Sequence, residues 1–184
     1  MANHVEWDEY RTGRKGLAVS ETQRMQVEQL LGRKPRGLED VPVTDAAGRP
    51  RVIRVASLVD DKPFPTLFWL VDPELNYRID QQEAGGLIAR LQARIDADAS
   101  LQAAMVEDHE HYIALRDKYM SAAEREDINR LGFGPVFREK GIGGIADRSR
   151  IRCLHTWYAA HLVRSNSVGR LLDEHWSQEE GDCT

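Results

Sequence analysis

An α+β fold, mostly helical with a small three-stranded antiparallel sheet in the N-terminal half, follows from three observations on the 184-residue sequence. Segments rich in β-branched and aromatic residues (41–44, 52–59 and 66–71) are confined to the first half, separated by turn signals at 45–48 and 60–65. From Pro73 onward the apolar residues recur at helical spacing. The balance of 41% hydrophobic and 30% charged residues is that of a globular chain, and the length suits one domain able to bury a core.

In chain order, residues 1–19 hold no sustained period and read as an N-terminal arm. Residues 20–177 form the single domain, and 178–184, with Glu179, Glu180 and Asp182, an acidic tail. Ser20 with Gln23 three positions on is a capping-box pattern, so a short helix runs through Met25, Val27, Leu30 and Leu31 until Gly32 and Pro35 stop it. The three strands make a meander with Pro42, Pro63 and Pro65 at strand ends. Pro73 suits a first helical turn and Glu74 complements the macrodipole there. Helices are predicted over 73–82, 86–97 and 100–125, then a glycine-rich loop over 132–144, then helices over 149–164 and 168–177.

A net charge of −5 argues against a general attraction to nucleic acid or anionic lipid. No apolar run approaches the roughly 18 residues of a membrane span, and the start lacks a charged-then-apolar leader, so the expected location is cytoplasmic, with no membrane or nucleic-acid partner. Cys153 in a predicted helix and Cys183 in the tail make no disulfide framework. No pattern speaks to oligomeric state. Two basic clusters stand out: Arg33, Lys34 and Arg36, and Arg138, Lys140, Arg148, Arg150 and Arg152 around the glycine-rich loop.

On a helical wheel of residues 100–120, Leu101, Met105, Val106, Tyr112, Ile113, Tyr119 and Met120 share one arc, and His109 and Arg116 fall inside it. A guanidinium among core residues needs a partner, so Arg116 should meet a carboxylate in a structural ion pair, or else a bound anion. His111 points away to solvent. His109-x-His111 is no chelate, because residues two apart on a helix do not face each other, and His155 and His161 are six apart. A zinc site would need His109 and His155 to meet across two helices with Asp108 or Asp147; no metal and no cofactor are expected. In the helix from Ser149, Ile151, Leu154, Trp157, Tyr158 and Leu162 form the buried stripe with His161 inside it and His155 at its edge. Cys153 turns away from that stripe and is not expected to pair with His155 as a nucleophile.

Gly141, Gly143 and Gly144 lead towards a helix whose first turn holds Arg148 or Arg150, with Asp147 or Ser149 as N-cap. Exposed backbone N–H groups, a helix N-terminus and forked arginine donors suit phosphate or carboxylate. The alternative is a mobile connector, since neither the Walker nor the dinucleotide pattern is present. Arg33 and Arg36 either lie on a solvated face or contribute to the same anion site.

Several short strings resemble one bacterial family: Leu31 to Gly37 (LGRKPRG), Pro63 to Leu70 (PFPTLFWL), Gln81 to Gly86, His109-Glu110-x-Tyr112 with Arg116, Arg152-Cys153-Leu154-His155, and Asn166-x-Val168-Gly169. Their order resembles that of the family designated domain of unknown function 501, over most of the chain. The resemblance implies kinship and no activity. Members often carry a Cys-x-Cys between the first two motifs and a Cys after the aromatic strand, where this chain reads Val41-Pro42-Val43-Thr44-Asp45 and Val71-Asp72-Pro73, so a thiol site at those positions is excluded here.

The leading expectation is a binding or regulatory domain for a small anionic, phosphate-like ligand, with Arg33, Arg36, Arg116, Arg150 and the Gly141, Gly143 and Gly144 backbone as ligand-binding groups and His109 and His155 lining the cleft. The alternatives are a hydrolase or phosphoryl-handling enzyme with His109 or His155 as general acid or base, and a protein-interaction adaptor with an exposed apolar patch.

Overall fold

The computed structural model describes residues 19–182. The predicted arm lies outside them but for its last residue, as does the end of the acidic tail. Ser20 caps α1 (Glu21–Leu31) and closes the complete capping box with Gln23, each accepting from the other's backbone N–H at 3.2 Å. Gly32 ends the helix at φ 65°, a left-handed conformation that favours glycine.

The sheet is the predicted antiparallel meander with one insertion. Strands β1 (Leu38–Thr44), β2 (Pro50–Val55) and β5 (Phe68–Leu70) lie in the order β1-β2-β5. The strand expected over 52–59 stops at Val55. Leu58–Val59 (β3) instead turns back on Lys62–Pro63 (β4) in a hairpin whose tip, Asp60 and Asp61, sits at φ 51° and 56°. Aspartate tolerates that region better than most residues. Pro42 lies inside β1 rather than at its end, where the register with β2 shifts between Asp40 and Val43; on an edge strand at an irregularity its missing N–H costs no ladder bond.

Alternation along β2 places the sheet in the molecule. Val52 joins the main core with Leu67, Phe68, Met105 and Trp157, while Ile53 and Val55 join Val27 of α1, Leu38 and Val71. One face of the sheet therefore rests on the helices and the other is partly covered by α1.

The helices are α2 (Pro73–Ala84), α3 (Leu87–Asp96), α4 (Ala99–Tyr119), α5 (Ala122–Arg130), α6 (Gly134–Glu139), α7 (Leu154–Val163) and α8 (Ser167–Asp182). The single helix expected over 100–125 breaks at Met120, whose ψ of 128° leaves the helical region. Ser121 then caps α5 by accepting from Glu124 N at 3.1 Å. The Glu124 carboxylate is used elsewhere, accepting from Ser57 N at 2.9 Å and Leu58 N at 3.1 Å to hold the base of the β3-β4 hairpin. The expected loop over 132–144 contains α6 and a 3-10 turn at Ile142–Gly144.

The segment Asn166-x-Val168-Gly169 is a packing device. Asn166 Oδ1 accepts from Gly169 N at 2.7 Å and its Nδ2 donates to Trp157 O at 2.9 Å, while a Cβ on Gly169 would coincide with the His161 ring. The imidazole of His161 can lie flat on α8 only because that position is glycine, and its Nε2 reaches Asp173 Oδ2 at 2.9 Å. Among the described residues no helix is long and apolar enough to cross a membrane.

Candidate functional site

The buried face of α4 carries Arg116 and His109, both fully enclosed. In place of the expected carboxylate, the Arg116 guanidinium meets backbone carbonyls. Its Nη1 donates to Pro65 O at 2.6 Å and its Nη2 to Phe137 O at 2.5 Å and Lys140 O at 2.7 Å. Three carbonyls supply the negative ends of their dipoles without a formal charge, and the planar fork spans all three at once. One turn earlier Tyr112 Oη accepts from Leu67 N at 2.6 Å, so α4 pins the chain entering β5 at two points.

His109 Nδ1 accepts from Ile142 N at 3.0 Å, and the ring packs edge-on against Trp157 with centroids 5.0 Å apart. Burial, with Arg148 nearby, pushes its pKa down to about 4. It is therefore a neutral core imidazole with its proton on Nε2, poorly placed to exchange protons with a substrate. The unfolded chain binds a proton near the ordinary 6.5 and the folded one only near 4, so the stability that neutral His109 contributes is complete above 6.5 and is lost as pH falls to about 4. That loss should reach about 3 kcal/mol. His109→Gln, whose side-chain oxygen can still accept from Ile142, should flatten the pH dependence of urea unfolding in this window; an identical profile in the variant would reject the assignment.

Two of the three glycine N–H groups in the loop bond internally. Gly141 N donates to Ile145 O at 2.9 Å and Gly144 N to Gly141 O at 3.0 Å, while Gly143 and Gly144 take φ of 75° and 67° to make the turn. Gly141 is pressed against the His109 ring: a Cβ would stand 2.9 Å from its Cγ and closer still to Nδ1. Arg148 pairs with Glu110 at 3.0 Å and Arg150 with Asp96 at 3.3 Å. The helix predicted from Ser149 begins only at Leu154, so Asp147 and Ser149 cap each other rather than a helix, with Ser149 N on Asp147 Oδ1 at 3.0 Å. At the true N-terminus, Glu83 of α2 accepts from Leu154 N at 2.6 Å. The anion drawn to this helix end is the protein's own carboxylate.

This late start overturns the reading of Cys153. Outside the helix and extended (φ −156°, ψ 124°), it is the N-cap, and its Sγ lies 3.6 Å from His155 Nδ1 rather than turning away. His155 Nδ1 is also 3.5 Å from Glu83 Oε1, while its Nε2 lies 3.3 Å from both Asn76 O and Asp80 Oδ1. The contact with Cys153 comes first in raising the imidazole's pKa to about 9 against the opposing effect of burial, with Glu83 and Asn76 adding to it. Glu83, Cys153 and His155 present donor atoms within 4.8 Å of one another, the group among the described residues with the spacing to share a metal ion. The arrangement with His109 and Asp108 or Asp147 does not form: His109 faces the 3-10 turn and Asp108 accepts from Ser167 N at 2.7 Å.

On the opposite side of the sheet, Arg33, Arg36 and Lys62 rim a cleft of about 370 Å³ floored by Ile53, Val55 and Trp69, with Phe64 on its wall. The Arg33 guanidinium lies over the Trp69 ring at 5.8 Å, the Phe64 and Trp69 rings are 5.4 Å apart, and Arg36 pairs with Asp60 at 2.7 Å.

The candidate residues thus occupy separate places. Arg116, His109 and Gly141 adjoin along segment 137–142, His155 faces α2, Arg150 faces α3, and Arg33 and Arg36 lie beyond the sheet. Sequence reasoning missed Lys62, Phe64, Trp69 and Glu83. The aromatic string PFPTLFWL was a visible signal for the cleft, whereas a lone glutamate on a helix carried none.

No curated protein and no solved structure matches the chain. The family model described as "Protein of unknown function (DUF501)" matches residues 41–174, a span that takes in the sheet from the middle of β1, α2 to α7 and the first turns of α8, and the chain belongs to that family.

Proposed function

We propose that this protein binds a small anionic, phosphate-like ligand in the cleft between the 31–37 loop, β2, β5 and the β3-β4 hairpin. The observation that carries the reading is the juxtaposition of a cationic rim (Arg33, Arg36, Lys62) with an aromatic and aliphatic floor (Trp69, Phe64, Ile53, Val55) in a cleft of about 370 Å³. That volume falls in the range of small-molecule sites, which pair apolar walls with a few placed charges. One carboxylate, Asp60, faces three cations and leaves the rim positive. Arg33 and Arg36 supply forked donors for a phosphate, and Trp69 supplies a stacking surface for a flat apolar body. A nucleoside monophosphate or another phosphorylated aromatic has that chemistry.

Thermal melts with nucleoside monophosphates, sugar phosphates and inorganic phosphate at constant ionic strength test this. At a hundredfold excess over Kd, a ligand should stabilise the wild-type protein by about 2.7 kcal/mol. Arg33→Gln and Lys62→Gln should lose the stabilisation and keep their unliganded melting temperature. If no member of the series stabilises the wild type beyond these variants, the cleft is not an anion site.

A further inference from the structure

We propose that Glu83, Cys153 and His155 form a zinc site, with Asp80 and the Asn76 carbonyl as the outer partners of the histidine. The site shares no residue with the anion cleft and stands independently of it.

The tautomer of His155 carries the first step. Asn76 O and Asp80 Oδ1, both acceptors, lie 3.3 Å from Nε2, so the ring proton belongs there. In the neutral ring Nδ1 is then a bare lone pair, and it faces Cys153 Sγ at 3.6 Å and Glu83 Oε1 at 3.5 Å. The three atoms come to rest only with a proton or a cation among them, and the Cys153 thiol can itself donate its S–H to Nδ1. A proton can serve, giving an imidazolium; a metal ion serves all three donors at once.

The spacing also fits a metal. Zinc bonds of about 2.0–2.3 Å at tetrahedral angles separate neighbouring ligand atoms by roughly 3.3–3.7 Å, which brackets both distances to Nδ1. The donor set of thiolate, imidazole and carboxylate suits borderline-soft Zn2+ better than Mg2+ or Ca2+, which take oxygen. A carboxylate or carbonyl on the distal histidine nitrogen is the usual outer partner of a zinc-bound imidazole. Backbone geometry presents the ligands: the extended Cys153 at the N-cap brings its sulfur alongside His155, and Glu83 is anchored by accepting from Leu154 N at 2.6 Å. All three residues are partly exposed, so an ion can enter. Three protein ligands leave a fourth position for water or a substrate atom, the composition of an open rather than a closed zinc site.

The test uses tag-free full-length protein carrying Cys183→Ser, so that Cys153 is its one thiol, stripped with a chelator and titrated with Zn2+ and Co2+. The expected result is one equivalent of zinc bound, and a Co2+ form with thiolate-to-cobalt charge-transfer absorption and the intense visible bands of a tetrahedral ion. Cys153→Ser should abolish the charge-transfer band, Glu83→Gln should weaken zinc binding while keeping the contact to Leu154, and Asp80→Asn should weaken it by roughly tenfold to a hundredfold. Circular dichroism of each variant separates lost binding from lost fold. Absence of stoichiometric zinc in the parent, a Co2+ spectrum without the thiolate band, or undiminished affinity in folded Cys153→Ser would each overturn the proposal.

Discussion

Arg116→Met should destabilise the ligand-free protein by about 3 kcal/mol, read as a lower midpoint in urea unfolding with an unchanged slope. Methionine keeps the apolar stem but leaves the carbonyls of Pro65, Phe137 and Lys140 without the donor they share. Each unsatisfied buried carbonyl costs about 1–3 kcal/mol, and relief from burying an unneutralised guanidinium offsets part of the sum. Lysine should not rescue, because one ammonium lacks the fork that spans three acceptors. The same arrangement predicts that phosphate or sulfate stabilises wild type and Arg116→Met equally. An unchanged melting temperature in ligand-free Arg116→Met, together with loss of anion stabilisation, would instead make Arg116 a ligand group.

Gly141→Ala should cost still more, about 4 kcal/mol. Its φ of −93° lies outside the left-handed region that favours glycine, and the close approach of the His109 ring makes the penalty steric. The new methyl group would displace a fully buried His109 ring, adding an overpacking cost of about 1–3 kcal/mol to the loss of the Ile142 hydrogen bond. A double-mutant cycle isolates the contact. In a His109→Ala background the ring is gone and only the Cβ of residue 109 remains close, at 3.1 Å, so the two substitutions together should cost less than the sum of their separate effects. Strict additivity would show that Gly141 matters for some reason other than the histidine against it.

Both expectations concern the segment 137–142, where reading the sequence was half successful. The burial of His109 and Arg116 was legible because a helix repeats every 3.6 residues and both fall on the apolar arc of α4. Their partners were not. The terminal nitrogens of Arg116 donate to carbonyls of Pro65, 51 positions earlier, and of Phe137 and Lys140, 21 and 24 positions later. Backbone acceptors are present at every residue and leave no mark in a sequence, so a search for an opposing side-chain charge was bound to miss them. The glycine loop misled for a related reason: glycines that expose N–H groups to a ligand and glycines that make room for a histidine ring are the same letter.

Local patterns determined the capping box of α1, the proline start of α2, the order of the three main strands and the helical character of most of the chain after Pro73, because each depends on residues within one or two turns of one another. The tertiary structure decided the rest. α7 starts at Leu154 rather than Ser149, with Gln92 bonding Ser149 O and Ile151 N and Glu83, 71 positions away, accepting from the Leu154 N–H. That shift released Cys153 from the helical wheel and set it beside His155. The cationic cleft likewise needed the β3-β4 hairpin to carry Lys62 and Asp60 over to the 31–37 loop. Hydrogen bonds and charge contacts are short in space but indifferent to distance along the chain, so the elements were legible from sequence while the sites they build together became visible only in the folded molecule.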